Sequence, residues 1–327
     1  RAELLTAVLL GLCLQPMFLS TFLYGTIPGM TLALWSVVLV SRCMKEKKPV
    51  LLIPAAVLIA LAVMIKKNFA IVLIAEGILL LLFVIRQRKA AALLGVALMA
   101  ALSVLLPMGA QKLCEVRADT SFGKGTPQTA WLVTGFRDSS FCAGWYNSYT
   151  NNVLADNDFD YDKTLAQNKT DLNERLAIFA SRPIYFASFL YHKVVSQWNE
   201  PAYQCIWSSA AGESSGETSG FVQSLGTGAA GDAVNAYFNQ LMQFVYAALT
   251  VSLAILLFRR GQRSEERMIV PLILLGAALY HALFEAKSQY AIIYVTMMLP
   301  YASFAVTTCS GRLNALCRRK KAADAQE

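Results

Sequence analysis

Residues 66–89 read KKNFAIVLIAEGILLLLFVIRQRK, and this stretch decides the class of the molecule. Between Phe69 and Ile85 the only charged side chain is Glu76. A run of this length matches the roughly 20 helical residues needed to cross a hydrocarbon core of about 30 Å. Working outward, seven further stretches read the same way. The predicted spans lie near residues 4–22, 27–41, 49–65, 68–86, 89–109, 236–258, 268–285 and 290–309. None has the short apolar core and small-residue cleavage site of a signal peptide. The expected fold class is an all-α polytopic membrane protein of about eight transmembrane helices with one mostly helical extracytoplasmic insertion.

Composition agrees. Of 327 residues, 56% are hydrophobic and 15% charged, against about 45–50% and about 25% in soluble domains. A disordered tail, a collagen-like fibre and a small disulfide scaffold are excluded. The net charge of +8 is explained by topology. Basic residues cluster after the second span (Arg42, Lys45, Lys47, Lys48) and after the fourth (Arg86, Arg88, Lys89). They recur between the sixth and seventh (Arg259, Arg260, Arg263, Arg267) and in the tail (Arg312, Arg318, Arg319, Lys320, Lys321). All four segments fall on one face, which the positive-inside rule makes cytoplasmic, together with both ends of the chain. That face carries 17 basic and 6 acidic residues, whereas residues 110–234 carry 9 basic and 13 acidic. The excess is a membrane signal, so nucleic acid is not an expected partner.

The chain divides into a five-helix bundle (1–109), an extracytoplasmic subdomain (110–234), a three-helix bundle (235–311) and a basic cytoplasmic tail (312–327). Within the subdomain, Asp171 and Glu174 have capping-box spacing, predicting a helix over 171–198 interrupted at Pro183. Residues 208–231, rich in Gly and Ser, read as a flexible loop. Asp156, Asp158, Asp160 and Asp162 alternate like a calcium loop. However, Tyr161 and Gln167 stand where that loop needs Gly and Glu, so a solvated acidic turn is the default. Asn168-Lys169-Thr170 fits a glycosylation sequon. The seven cysteines make no framework, although one bridge among Cys114, Cys142 and Cys205 is allowed. Cys/His spacing supports no metal site.

Three lysines break the charge rule: Lys66 and Lys67 in a tight turn, and Lys287 in FEAKSQY. They either snorkel to headgroups or meet an anionic group at the outer surface. The same face collects Tyr24, Asn68, Arg137, Trp145, Tyr146, Asn147, Trp198, Asn199, Glu200, Glu285, Gln289 and Tyr290. Aromatics with amides and a carboxylate suit sugars, and a lysine pair suits a phosphate. Glu76, inside a span, is expected to pair with a neighbouring helix.

PMFLSTFLYG (16–25), Lys66-Lys67-Asn68, Gly144-Trp145-Tyr146-Asn147, the run from Arg182 containing QWNEPAYQCIW, and EAKSQYAIIYVTMMLPYA (285–302) together resemble a family. It is the bacterial polytopic glycosyltransferases of the GT-C superfamily, related to protein O-mannosyltransferases and envelope lipid-sugar transferases. The resemblance implies transfer of a sugar from a polyprenyl-phosphate donor to a lipid, glycan, polymer or protein acceptor, outside the bacterial cytoplasmic membrane. Lys66, Lys67, Lys287 and Arg137 would hold the donor phosphate. Tyr24, Asn68, Trp145, Tyr146, Asn147, Trp198, Asn199, Glu200, Glu285, Gln289 and Tyr290 would shape the sugar or acceptor site. No cofactor is required by the resemblance, and a divalent metal is left open. The family's catalytic carboxylate usually lies in the first outer loop, but the turn at Tyr24 to Thr26 has none. With Arg1 in first place, that carboxylate and further helices are expected upstream, and the catalytic residue is unassigned. The rival readings are a transporter or flippase of lipid-linked intermediates, and a non-catalytic membrane scaffold.

Overall fold

The computed structural model describes residues 1–22, 24–88, 90–210, 220, 224–225, 228–259 and 264–324. The described residues form helices and turns, with no strand among them. Six stretches are long and apolar enough to cross a membrane: Thr26–Glu46, Lys67–Gln87, Ala91–Ala118, Ala229–Phe258, Glu265–Leu283 and Ser288–Arg318. The other two predicted spans are shorter than these six. Residues 49–65 keep their predicted bounds, as one 3-10 turn followed by α4 (Leu52–Ile65). Residues 4–22 split into α1 (Ala2–Leu12) and α2 (Gln15–Leu19). The split has a local cause, because Pro16 has no N–H to continue the first helix. Gln15 beside it is buried, accepting from the Cys13 thiol and donating to the Pro201 carbonyl at 3.1 Å.

The bundle is built around small residues. α3 (Thr26–Glu46) packs on α4, and α4 packs on α6 (Ala91–Ala118), with Ala33, Ala55, Ala56, Ala62 and Ala92 fully buried. At Gly95 a Cβ would lie 2.3 Å from the Leu52 side chain, so the contact admits only glycine. Small side chains let helix backbones approach where lipid offers no hydrophobic drive between helices. α5 (Ala70–Gln87) closes against α6 and places Glu76 inside, fully buried. Its two carboxylate oxygens lie 2.8 and 3.0 Å from the Ser36 hydroxyl of α3, the neighbouring helix expected to receive it.

Three of the later helices run longer than the hydropathy suggests, among them α12 (Ala229–Phe258), which starts seven residues before its predicted span. α6 continues into the insertion as far as Ala118, nine residues past the predicted boundary, until Asp119 turns left-handed. Helix α14 (Ser288–Asp324) begins buried from Ala291 to Leu299 and carries on through the basic segment predicted as a tail. It is the hub on which α1 and α12 (Ala229–Phe258) pack. α13 (Ile269–Leu283) packs on α5.

The insertion carries α7 (Thr129–Gly135), α8 (Tyr149–Asp156), α9 (Tyr161–Ser181), α10 (Pro183–Trp198) and α11 (Cys205–Ala210). The capping-box reading at Asp171 is corrected. α9 starts ten residues earlier, where the Asp160 carboxylate accepts from the Lys163 backbone N–H at 2.8 Å. Asp171 is instead a buried mid-helix residue. Pro183 opens α10, where its missing N–H costs nothing. Three of the alternate aspartates are spent on this cap and on ion pairs, Asp158 with Lys163 and Asp162 with Lys124, while Asp156 ends α8 exposed. Asn168 of the sequon is fully buried, bonded to Tyr149 and Thr129. Among the described residues no disulfide forms, so the allowed bridge is not made. Most of the predicted 208–231 loop lies outside the described residues.

Candidate functional site

The site forms where the insertion is wedged onto the bundle, and two glycines make the wedge. At Gly135, closing α7, a Cβ would lie 2.4 Å from the Leu283 carbonyl oxygen and 2.5 Å from the Phe284 carbonyl carbon. Gly144 is left-handed (φ +70°), and its Cβ would strike Lys193 and the Gly135 carbonyl. Only glycine lets backbone pass this close in that conformation. The Gly144 carbonyl then accepts from the Ala286 N–H at 2.9 Å, fixing the turn that carries Glu285 and Lys287.

Lys193 locks this junction from α10. It is fully buried, and its ammonium donates to the Gly135 carbonyl at 2.6 Å and to the Ala282 carbonyl at 3.0 Å. Burial lowers its pKa to about 7, against the pull of Glu285. The sequence reading missed Lys193, yet the signal was present. It follows Phe186 and Phe189 at helical spacing, so it sits on the apolar face of α10.

Around the fixed turn, residues far apart in sequence meet. The Lys66 ammonium stands 4.0 Å from the Tyr24 ring centre and 4.9 Å from that of Tyr290, and donates to Thr26 Oγ1 at 3.1 Å. The two tyrosine hydroxyls are 3.4 Å apart, and Tyr290 donates to Glu285 Oε1 at 2.9 Å. Lys287 lies 3.9 Å from the same oxygen and 4.8 Å from the Tyr146 ring centre. His281, also missed, stacks on Tyr290 and sits 3.2 Å from the Glu285 carbonyl oxygen and 3.3 Å from the Tyr294 hydroxyl. Its spacing alone, in an apolar helix, gave no signal.

Electrostatics follow from burial. Burial lowers Lys66 to about pKa 7, with Glu285 raising it and Lys287 lowering it. Burial raises the Glu285 carboxyl, opposed by the Tyr290 hydrogen bond and by Lys287, Lys66 and Lys193. One carboxylate therefore faces three ammonium groups at this end of the bundle. An incoming anion would favour their charged forms.

Not every predicted site residue joins. Lys67 is exposed at the same turn, and Asn68 follows it half-buried. Trp145 donates to Ser196 at 2.9 Å, which ties the Gly144 turn to α10. Trp198 packs against Tyr294, while Asn199 is exposed. Glu200 accepts from the backbone N–H groups of Ala202 and Gln204 and from Ser288, joining α10 to the start of α14. Buried Gln289 donates to Ser208. Arg137 belongs to a separate cluster in the insertion, 3.0 Å from Asp171 and over the Tyr149 ring. Asn147 lines the cleft beside it. Among the described residues no group of ligating side chains is placed to hold a metal.

Compared with family models, with curated proteins and with solved structures, the chain finds no match.

Proposed function

We propose that the protein is a membrane glycosyltransferase. It moves a sugar from a polyprenyl-phosphate donor to an envelope lipid, glycan, polymer or protein on the outer face of the bacterial cytoplasmic membrane. The observation that carries this reading is the excess of ammonium groups over carboxylate at the bundle end. Lys66 and Lys287 are the lysines of that set not already spent on main-chain carbonyls. They stand at the end of the apolar helices, the level at which a lipid-linked sugar would present its phosphate.

In such a transfer the acceptor hydroxyl attacks the anomeric carbon while the bond from that carbon to the phosphate oxygen breaks. A base takes the hydroxyl proton. The phosphate gains charge as it leaves, and Lys66 and Lys287 stabilise that charge most when it is greatest. Tyr24 and Tyr290 clamp the Lys66 ammonium between their rings, so its geometry is set before the donor arrives. Arg137, engaged with Asp171, has no part in this clamp, and Lys67 is left to meet lipid headgroups. Glu285 holds the clamp together, and the base is not assigned to it.

The test is transfer of labelled sugar from a polyprenyl-phosphate donor in membranes carrying the protein. Replacing Lys66 and Lys287 together by Gln should lower the rate about 100-fold or more, the loss typical when a transition-state charge contact is removed. Transfer at the unaltered rate in the double variant would sink the clamp.

A further inference from the structure

The insertion holds a second polar site that the transfer reaction does not use. A cleft of about 600 Å3 opens between α8 and α9 and the 137–147 turn. Its volume falls within the roughly 300–1,000 Å3 of small-molecule sites, but such sites are mostly apolar. Here Val153 is the one apolar residue of the lining. Water-exposed polar walls of this kind match a ligand that is itself polar on every side.

The floor is rigid. Asp171 Oδ2 accepts from Arg137 at 3.0 Å and from Tyr149 at 2.6 Å, and Oδ1 accepts from Gln167 at 2.6 Å. Arg137 lies 4.3 Å over the Tyr149 ring. Desolvation and Asp171 raise the Tyr149 hydroxyl, so it stays a neutral donor. The rim is supplied by α8, where Asn152 and Asp156 sit one helical turn apart and Asn157 follows. Asn152 and Asp156 are exposed. Amides offer two donors and one acceptor oxygen, and the carboxylate adds acceptors. Hydroxyl groups, which donate and accept at once, satisfy such a rim.

Charge narrows the class. Asp171 is paired with Arg137 and Asp138 with Arg175, so among the described residues Asp156 is the lining carboxylate left without an ion pair, and a phosphate or other anion is disfavoured. No group of ligating side chains among the described residues is placed for a metal ion. We infer that this cleft binds a neutral, hydroxyl-rich ligand, an oligosaccharide of a few residues. This stands apart from the transfer reaction, since it concerns binding in a different place and needs no donor.

The experiment measures binding of maltotriose and of N,N′,N″-triacetylchitotriose to the whole detergent-solubilised protein by ligand-observed saturation-transfer NMR, without a polyprenyl donor. At least one should bind, and glucose 6-phosphate should not compete. An Asn152→Ala/Asp156→Ala double variant changes only exposed side chains and should weaken binding about tenfold or more. Thermal unfolding at the wild-type temperature would show that the variant is folded. Failure of both sugars to bind, unchanged binding in the variant, or binding that appears only with calcium would overturn the inference. A variant that loses sugar binding yet still transfers labelled sugar from the polyprenyl-phosphate donor in membranes keeps the two readings separate. Loss of transfer with sugar binding intact would fault the Lys66 clamp instead.

Discussion

The molecule contains two polar clusters made from the same kinds of residue, and they are balanced in opposite ways. At the bundle end Glu285 faces Lys66, Lys193 and Lys287, so positive charge is left over. In the insertion Asp171 absorbs Arg137, Tyr149 and Gln167, and further carboxylates line the same cleft. The first cluster is buried against apolar helices, where surplus charge is costly and an anion is welcome. The second lies in water-accessible walls, where surplus acidity costs little and hydroxyls find partners. What each can bind is therefore set by the local ratio of charges and by burial, more than by residue type.

The largest effect should come from separating the two clusters. Gly135→Val would drive side-chain atoms into the backbone at Leu283 and Phe284, neither of which is a flexible side-chain end. Overpacking commonly costs about 1–3 kcal/mol, and rigid backbone neighbours push towards the upper end. The insertion should lose its seat, with faster proteolysis after Gly135, a lower unfolding temperature and loss of transfer. Gly77→Ala, with nothing within 4 Å of the added Cβ, is the control that should unfold as the wild type does or slightly later. Equal unfolding of Gly135→Val and the control would mean that the clusters are not held together by this wedge.

A smaller effect sharpens the contrast. Asp171→Asn leaves the shape but removes the charge that Arg137 meets and one acceptor of the network. Arg137 retains side-chain exposure of 36%, so water offsets part of the loss. We expect about 1–2 kcal/mol of destabilisation, read as a shift in chemical denaturation. Donor binding at the bundle end should not change. A donor affinity that falls with Asp171→Asn would join the two clusters into one site and break the comparison.

The bundle was legible because its signal is long. Twenty apolar residues survive any local accident, and the break at Pro16 and the length of α14 altered boundaries without altering class. The insertion was harder. Asp171 and Glu174 have cap spacing, yet Asp160 forms the cap, because partners 34 and 22 residues away in Arg137 and Tyr149 take Asp171 into the interior. The sequon at Asn168 fails for the same reason. At the site, Tyr24, Lys66, Glu285, Lys287 and Tyr290 were visible as polar exceptions at span ends, but their meeting depends on docking across more than 200 residues. Arg137 read as one of them, since nothing local tells a phosphate ligand from half of an ion pair.

The finest prediction concerns pH. Burial holds Lys66 near pKa 7 in the folded protein, well below an exposed lysine. Between about pH 7 and about pH 10.5 the unfolded chain binds a proton that the folded chain does not, so Lys66 lowers stability as pH falls through that window. An anionic donor reverses the preference, because it favours the ammonium form and binding takes up a proton. The groups facing Lys66 include Tyr24, Tyr290, Thr26, Glu285, Lys287 and His281. The phosphodiester of a lipid-linked sugar does not itself titrate near neutrality, so a slope would belong to the protein. Donor affinity should be nearly constant at acidic pH and fall as pH rises above about 7, by at most about tenfold per unit. Lys66→Arg tests the assignment, since a guanidinium keeps its charge throughout this range. Its profile should be flatter even if binding is weaker overall. An unaltered slope in Lys66→Arg would move the titration to Lys193, whose donors point at carbonyls of the wedge, and the pH dependence would then report the seating of the insertion.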